Sequence, residues 1–434
     1  LLRSPHDGDI ARLAVPAIGT LVAEPLYVLA DTAIVGRLGT DQLAGLALAS
    51  TVLLTAHALL IFLAYGATST VARLMGAGRE SDAARQSVQG LWLAVLLGTA
   101  AAVTIAVTRE PILDLLGGQG QARREALIYL DISLIGLPFM MLVLAGSGAF
   151  NGRQDTRTPL LIAVAGAVLN LGLELILIPG LGYGIGASAL STVVAQTLTG
   201  TVFVAAVVRW GRSRSVALSL HWPSIRRLMM AGQPLIIRAV ALRGSFTLSA
   251  AVAARIGVAE LAAYQIGIQI WATLALALDA VAIAGQALTG KWLGAGDAAR
   301  ARGAARRMIE IDIAVGAVAG LAVLLFRDEL ARAFSPDPAV IAATAAVLIW
   351  VAVTQPLNGY VFALDGILIG AGDLRYLGRT MAVTAVVFTL LALVLMWTGQ
   401  GLNRLWAALV VFMMLRAVAL WARWRTDRWI VLGA

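Results

Sequence analysis

Asp31 stands in the apolar run Leu29-Ala30-Asp31-Thr32-Ala33, and Glu24 precedes it by seven residues. Asn170 and Glu174 stand four apart in another apolar run. A charge at mid-bilayer costs at least ~2.5–3.5 kcal/mol on insertion scales, so such a group faces a protein interior or a cavity and is functional by default. Spacings of four and of seven each place two side chains on one helix face. If the helices carrying Asp31 and Asn170/Glu174 face a common chamber, they form an acidic, amide-lined pocket. Two carboxyl groups in one pocket can hold a single proton near neutral pH and titrate as a unit. Gain or loss of that proton changes the buried charge and can switch the helices between two packings. Pro25 removes a backbone hydrogen bond beside Glu24 and predicts a kink. The competing reading is a satisfied ion pair, with an arginine neutralising Asp31.

The second half of the chain places Arg238, Arg243, Asp279 and Asp365 in apolar runs. Arg243, Asp279 and Asp365 are expected to neutralise one another, as a structural network or as part of a substrate cavity. Gln265 and Gln269, four apart, add amides to that region. Tyr27, Tyr264, Trp271 and Tyr360 offer aromatic faces to a cation, although aromatics in such chains more often anchor the membrane interface or pack.

Other chemistries find no support. Gly285-Gln286-Ala287-Leu288-Thr289-Gly290-Lys291-Trp292 approaches a phosphate-binding loop, but Trp292 stands where magnesium needs a hydroxyl, and no strand precedes it. The three histidines, His6, His57 and His221, lack metal-ligand spacing, and cysteine is absent. No Ser, His and acid residues form a catalytic set, so the chain is not expected to be an enzyme.

The elements that must hold these groups are set by composition. Of 434 residues, 60% are hydrophobic and 13% charged, about half the charge of a soluble domain. Mean hydropathy is +0.86. Twelve apolar spans are predicted at 10–36, 42–70, 86–107, 126–150, 158–178, 184–208, 229–254, 260–289, 305–326, 340–369, 379–398 and 402–422. Residues 1–9 are polar and do not read as a signal peptide. The fold class is therefore an all-α integral membrane protein. Its expected divisions are a first lobe at 1–208, a polar linker at 209–228 and a second lobe at 229–434.

The halves repeat. A shift of 218 carries Pro16 onto Pro234, Gly76-Ala77-Gly78 onto Gly294-Ala295-Gly296, Pro138 onto Pro356, and Gly152, Asp155 and Arg157 onto Gly370, Asp373 and Arg375. Six spans per half is even, so the halves share one orientation, as parallel transporter repeats do. With both termini and the even-to-odd loops on one side, that side holds 22 of the 33 Lys and Arg, and the other loops hold 8. The excess places both termini in the cytoplasm. It also explains the net charge of +9 without nucleic acid.

The run from Pro25 through Leu29-Ala30-Asp31-Thr32-Ala33-Ile34-Val35-Gly36-Arg37-Leu38-Gly39 resembles the first-helix signature of multidrug and toxic compound extrusion (MATE) transporters. Ala72–Gly78, Gly152–Pro159, Gly285–Asp297 and Asp365–Asp373 resemble its loop motifs, in the family's order. Leu278-Asp279-Ala280 before Gly285-Gln286-Ala287 is similar to the DinF-like branch. The resemblance implies two six-helix pseudo-symmetric lobes and drug–cation antiport by alternating access in the cell membrane. It implies Asp31 as the protonation site. Asn170 and Glu174 match a fifth-helix Asn-x-x-x-Asp pattern with Glu for Asp, and Thr192 matches a sixth-helix threonine. The sodium site of NorM-like members uses a seventh-helix Glu; span seven here has Arg238 and Arg243 and no acid. That departure favours protons as coupling ion, with sodium not excluded and no cofactor. The expected partners are the lipid bilayer and organic cations or amphipathic drugs, with the chain acting as a monomer. The rivals are a lipid-linked precursor flippase of the same superfamily, a passive channel and a membrane-embedded enzyme.

Overall fold

The computed structural model describes residues 4–399 and 401–433; residues 1–3 of the polar N-terminal segment lie outside the described part. Among the described residues the chain is helical throughout, with no strand. The helices are α1 (Asp7–Val35), α2 (Thr40–Leu60), α3 (Phe62–Gly76), α4 (Glu80–Leu115), α5 (Gly120–Gly152), α6 (Arg157–Leu175), α7 (Ile185–Ser213), α8 (Trp222–Ile256), α9 (Val258–Gly294), α10 (Ala298–Leu325), α11 (Arg327–Phe334), α12 (Pro338–Gly370), α13 (Leu374–Thr398) and α14 (Leu402–Arg425). A π-helical turn, Ile176–Gly180, extends α6. Together they supply 12 segments long and apolar enough to cross a membrane. α2 and α3 make one of these, interrupted at Ile61. Many large apolar side chains remain exposed, among them Val107, Leu161, Val168, Leu390 and Trp397. Such a surface is a liability in water and the normal condition in lipid.

The helices are longer than the bilayer requires. α4 has 36 residues, or roughly 54 Å at 1.5 Å per residue, against a hydrocarbon core of ~30 Å. Arginine ends the lipid-compatible part of a helix without ending the helix. α7 therefore runs on to Ser213 and α8 starts at Trp222, leaving only 214–221 of the expected 209–228 connector outside helix. α1 likewise passes Pro16 and Pro25 as one continuous helix.

The internal repeat is expressed in the backbone. A shift of 218 carries α5 onto α12, and Thr40–Gly76 onto α9, residue for residue. Gly78 and Gly296 both take positive φ, 72° and 76°. Each sits in a turn where the following amide reaches back to a helix carbonyl, Arg79 to Leu74 and Asp297 to Trp292, both at 2.9 Å. This arrangement closes a helix C-terminus through a left-handed residue. Gly148 and Gly366 are also equivalent: a Cβ on either would collide with backbone, that of Ala64 and of Ala282 respectively. Glycine there lets two helices approach at the same point of each repeat.

The chain forms two compact units. One holds Gly19–Gly232, and the other holds the chain through Ile18 together with the chain from Gln233. The divisions fall inside α1 and α8, whose first turns belong to the opposite half from the rest of each helix. In the Gly19–Gly232 unit, α5 packs against α2, α3, α4 and α7. Its core includes Leu130, Leu137, Met141 and Phe203. In the other unit the equivalent α12 packs against α9, α10 and α14, around Val347, Val351, Leu364 and Ile367. The start of α1 is tied to that second unit by Arg307, whose Nε lies 2.6 Å from Asp7 Oδ1.

Candidate functional site

Four helices of the Gly19–Gly232 unit bring polar groups to one place. α1 carries Asp31 near its C-terminal end. α6 carries Asn170 and Glu174 one turn apart, and α7 carries Ser188 and Thr192 one turn apart. α5 carries Tyr129. All but Thr192 are buried, with Glu174 and Ser188 at 0% exposure. Immediately after Glu174, the π-helical turn containing Pro179 replaces regular α geometry. Such turns occur often at functional sites.

Ser188 joins the two acids. Its Oγ makes a very short contact with Asp31 Oδ1 and lies 3.1 Å from Glu174 Oε1. Each carboxyl also lies within the electrostatic reach of the other. A serine hydroxyl has one hydrogen to donate. If the Ser188 O–H donates to Asp31, the contact with Glu174 becomes a hydrogen bond only when the Glu174 carboxyl carries a proton and donates it to Ser188 Oγ. The bridge is therefore complete when the pair holds one proton. Among the described residues, neither carboxyl is ion-paired with an arginine or lysine, which disposes of the arginine-neutralised reading of Asp31.

The amides and hydroxyls complete the arrangement. Asn170 Nδ2 donates to Thr192 Oγ1 at 3.0 Å. Tyr129 lines the same cavity as Thr192. Two buried acceptors, Asn170 Oδ1 and Glu174 Oε2, have no hydrogen-bond partner. A cavity opens on Asp31, with Glu24, Tyr27, His57, Tyr129 and Thr192 among its walls. The structure thus brings together Asp31, Asn170, Glu174 and Thr192, and Glu24 lines the same cavity as Asp31 and Thr192. Tyr27 joins them there.

The second half departs from expectation. Asp365 is held by Arg238 at 2.7 Å and by Arg416 at 2.6 Å, not by Arg243. Arg243 is exposed on α8, because the helix turns it away from the face that presents Arg238. Asp279 feels the charges of Arg238, Asp365 and Arg416 and so belongs to this network. Gln265 and Gln269 lie on an exposed face of α9, outside the network. Tyr264 is buried, with its hydroxyl donating to the Phe246 carbonyl at 3.0 Å and its ring against Trp406, so it packs rather than offering a face to a ligand. Tyr360 on α12 is half-buried.

The acidic pocket occurs once, not twice. A shift of 218 replaces Asp31, Asn170, Glu174, Ser188 and Thr192 with Ser249, Phe388, Ala392, Trp406 and Val410. Ser188 and Tyr129 escaped the sequence reading because neither is charged. Ser188 did leave a signal, one turn before Thr192 on the same face. Asp312, in the middle of α10, was passed over as well. It lies inside the span expected at 305–326, where a charge is costly, and so was open to the same argument as Asp31.

Comparison with known proteins agrees with this architecture. The chain matches the MatE family over residues 16–176 and 234–398, two segments whose starts differ by the repeat length. It is 32% identical to Protein DETOXIFICATION 44, chloroplastic, of Arabidopsis thaliana, over 96% of this chain and 81% of that protein. It is 30% identical to DNA damage-inducible protein F of Escherichia coli strain K12, over 98% of this chain and 94% of that protein. A MATE structure in a bent conformation superposes with a TM-score of 0.89 at 22% identity, covering 98% of this chain and 96% of the other. Family match, relatives and fold lead to one conclusion: the chain belongs to the MATE family of multidrug and toxin efflux transporters, and is a multi-pass membrane transporter, not an enzyme.

Proposed function

We propose that this transporter is a proton-driven antiporter that exports organic cations or other amphipathic compounds by alternating access. The observation that carries the reading is the Asp31–Ser188–Glu174 bridge, two buried carboxyls sharing one hydroxyl with no basic counter-ion among the described residues. An acid pair of this kind attracts a cation when empty and a proton when the cation has left. The two occupants exclude each other because both need the same carboxylate charge. A proton arriving from outside releases the cation, and loss of the proton inside recreates the charged site. The spare acceptors Asn170 Oδ1 and Glu174 Oε2 serve the cation-loaded state. Glu24 and Tyr27 line the approach. A sodium-coupled reading would use the same oxygens, and is separated from this one by imposing a sodium gradient without a proton gradient.

The chain is proposed to work as a monomer in the cell membrane with both termini in the cytoplasm, as the arginine distribution favours. Asp31→Asn keeps the size and hydrogen bonding of the side chain and removes its charge. Proton-gradient-driven efflux from vesicles is expected to fall to the level of empty vesicles, with normal protein yield. Unchanged efflux in that variant would overturn the proposal.

A further inference from the structure

A second buried acid lies in the unit that does not contain Asp31. Asp312 occupies the middle of α10, is 0% exposed, and neither of its carboxyl oxygens has a hydrogen-bond partner. It sits where α10 crosses α12. There Gly359 abuts the Asp312 carbonyl and Gly316 abuts the Gln355 carbonyl, so close that a Cβ on either glycine would collide. Asp312, Gln355 and Asn358 therefore lie within about one turn of the same crossing. Gln355 Nε2 and both side-chain polar atoms of Asn358 are likewise buried without partners. Buried polar groups are normally hydrogen-bonded, so a cluster of unpaired ones at a single helix crossing calls for an explanation.

The charges around Asp312 narrow what that is. No arginine or lysine among the described residues pairs with it. The charge that acts on it is another acid, Asp279 of α9. On α10 itself, Glu310 is engaged by Arg307. On α12, Asp365 is engaged by Arg238 and Arg416, and Tyr360 is the remaining titratable side chain. An ionised carboxylate without a partner is the costliest group to leave in such an interior. A protonated carboxyl carries no charge and is the less costly form where no basic partner is at hand.

The repeat provides an internal control. The positions equivalent to Asp312, Gln355, Asn358 and Gly359 are Ala94, Leu137, Met140 and Met141. The same crossing packs in the first half with apolar side chains, so the fold does not require polar ones. Asn358, though not Asp312, lines a cavity walled by Phe246, Trp271, Trp406 and Phe412. A shift of 218 carries Val28, Leu53, Met140 and Thr192 of the acidic cavity onto Phe246, Trp271, Asn358 and Val410 of this one.

We propose that Asp312, with the amides of Asn358 and Gln355, is a second binding site for the coupling proton, a proposal that rests on the proton-driven reading above. Each half then carries one proton site, placed differently within the repeat, and each transport cycle moves two protons per cation.

The test is the proton-to-cation ratio of the full chain in proteoliposomes, read from reversal potentials with tetraphenylphosphonium as the cation. The wild type is expected to exchange two protons per cation. Asp312→Asn is expected to exchange one and to lose the stimulation by membrane potential that a two-proton cycle gives a monovalent cation. A wild-type ratio of one would overturn the second site without any variant, as would a ratio still at two in Asp312→Asn. Asp312→Ala, which copies Ala94, is the second variant should the amide fail to fold. Proton-driven exchange surviving in Asp31→Asn would instead overturn the parent reading. Infrared difference spectra between acid and alkaline buffer give a substrate-free readout. A protonated-carboxyl band present in wild type and in Asp31→Asn is expected to be lost in Asp312→Asn, and an unchanged spectrum would count against Asp312.

Discussion

Asp31 and Glu174, on helices far apart in the chain, share the single hydroxyl of Ser188. Neither acid has a basic partner among the described residues. The energetic consequence is that the pair cannot be fully charged and fully satisfied at once. Only one added positive charge, a proton or a cationic compound, completes it.

Competition between these two occupants sets a pH dependence. A cation binding to the protonated pair must expel its proton, so affinity rises with pH by up to about tenfold per unit while the pair holds that proton, and levels off once it is empty. Isothermal titration of the purified protein across pH reads this slope. Asp31→Asn is expected to bind weakly and to flatten the profile. A flat profile in the wild type would remove proton–cation exclusion from the mechanism.

Ser188→Ala deletes the bridge while leaving both acids. A hydrogen bond to a charged group contributes about 1.5–3 kcal/mol, so export per folded molecule is expected to drop roughly ten- to a hundredfold at fixed pH. Ser188→Thr keeps a hydroxyl and is expected to retain most activity. Initial rates in vesicles, normalised to protein, decide the matter; equal rates for the alanine and threonine variants would show that the hydroxyl is dispensable.

Asp365 has a different duty from Asp31. It neutralises Arg238 and Arg416, whose side chains are 16% and 4% exposed. Asp365→Asn leaves two buried guanidinium groups without their shared carboxylate, at a cost of about 3–5 kcal/mol. The melting temperature in detergent is expected to fall by several degrees, with lower yield. A variant that melts like the wild type yet fails to transport would assign Asp365 to the transport site rather than to the fold.

How much of this was legible along the chain differs by level. The twelve spans were readable because lipid demands long apolar runs, whereas several helices run past the expected ends, as α7 does where arginines carry it on into water. The offset of 218 located the equivalent turns, and the left-handed residues at Gly78 and Gly296 occupy two of those equivalent positions. The acids of the first half were legible as charges where charges are costly. Ser188 was not, since a serine in an apolar helix usually bonds its own backbone, and only the approach of α1 and α6 gives it another role. Asp312 was legible by the same argument, as an acid inside the span expected at 305–326.

What the sequence determined by itself is therefore membrane residence, two repeated halves, and acid groups too expensive to be incidental. Tertiary structure alone decided which of them meet: Asp31 with Glu174 through Ser188, Asp365 with Arg238 and Arg416 rather than Arg243, and Asp312 with no hydrogen-bond partner for its carboxyl among the described residues. The physical reason is that periodicity fixes which residues share a helix face. The rotation and crossing of neighbouring helices fix which faces touch, and those depend on packing throughout each unit.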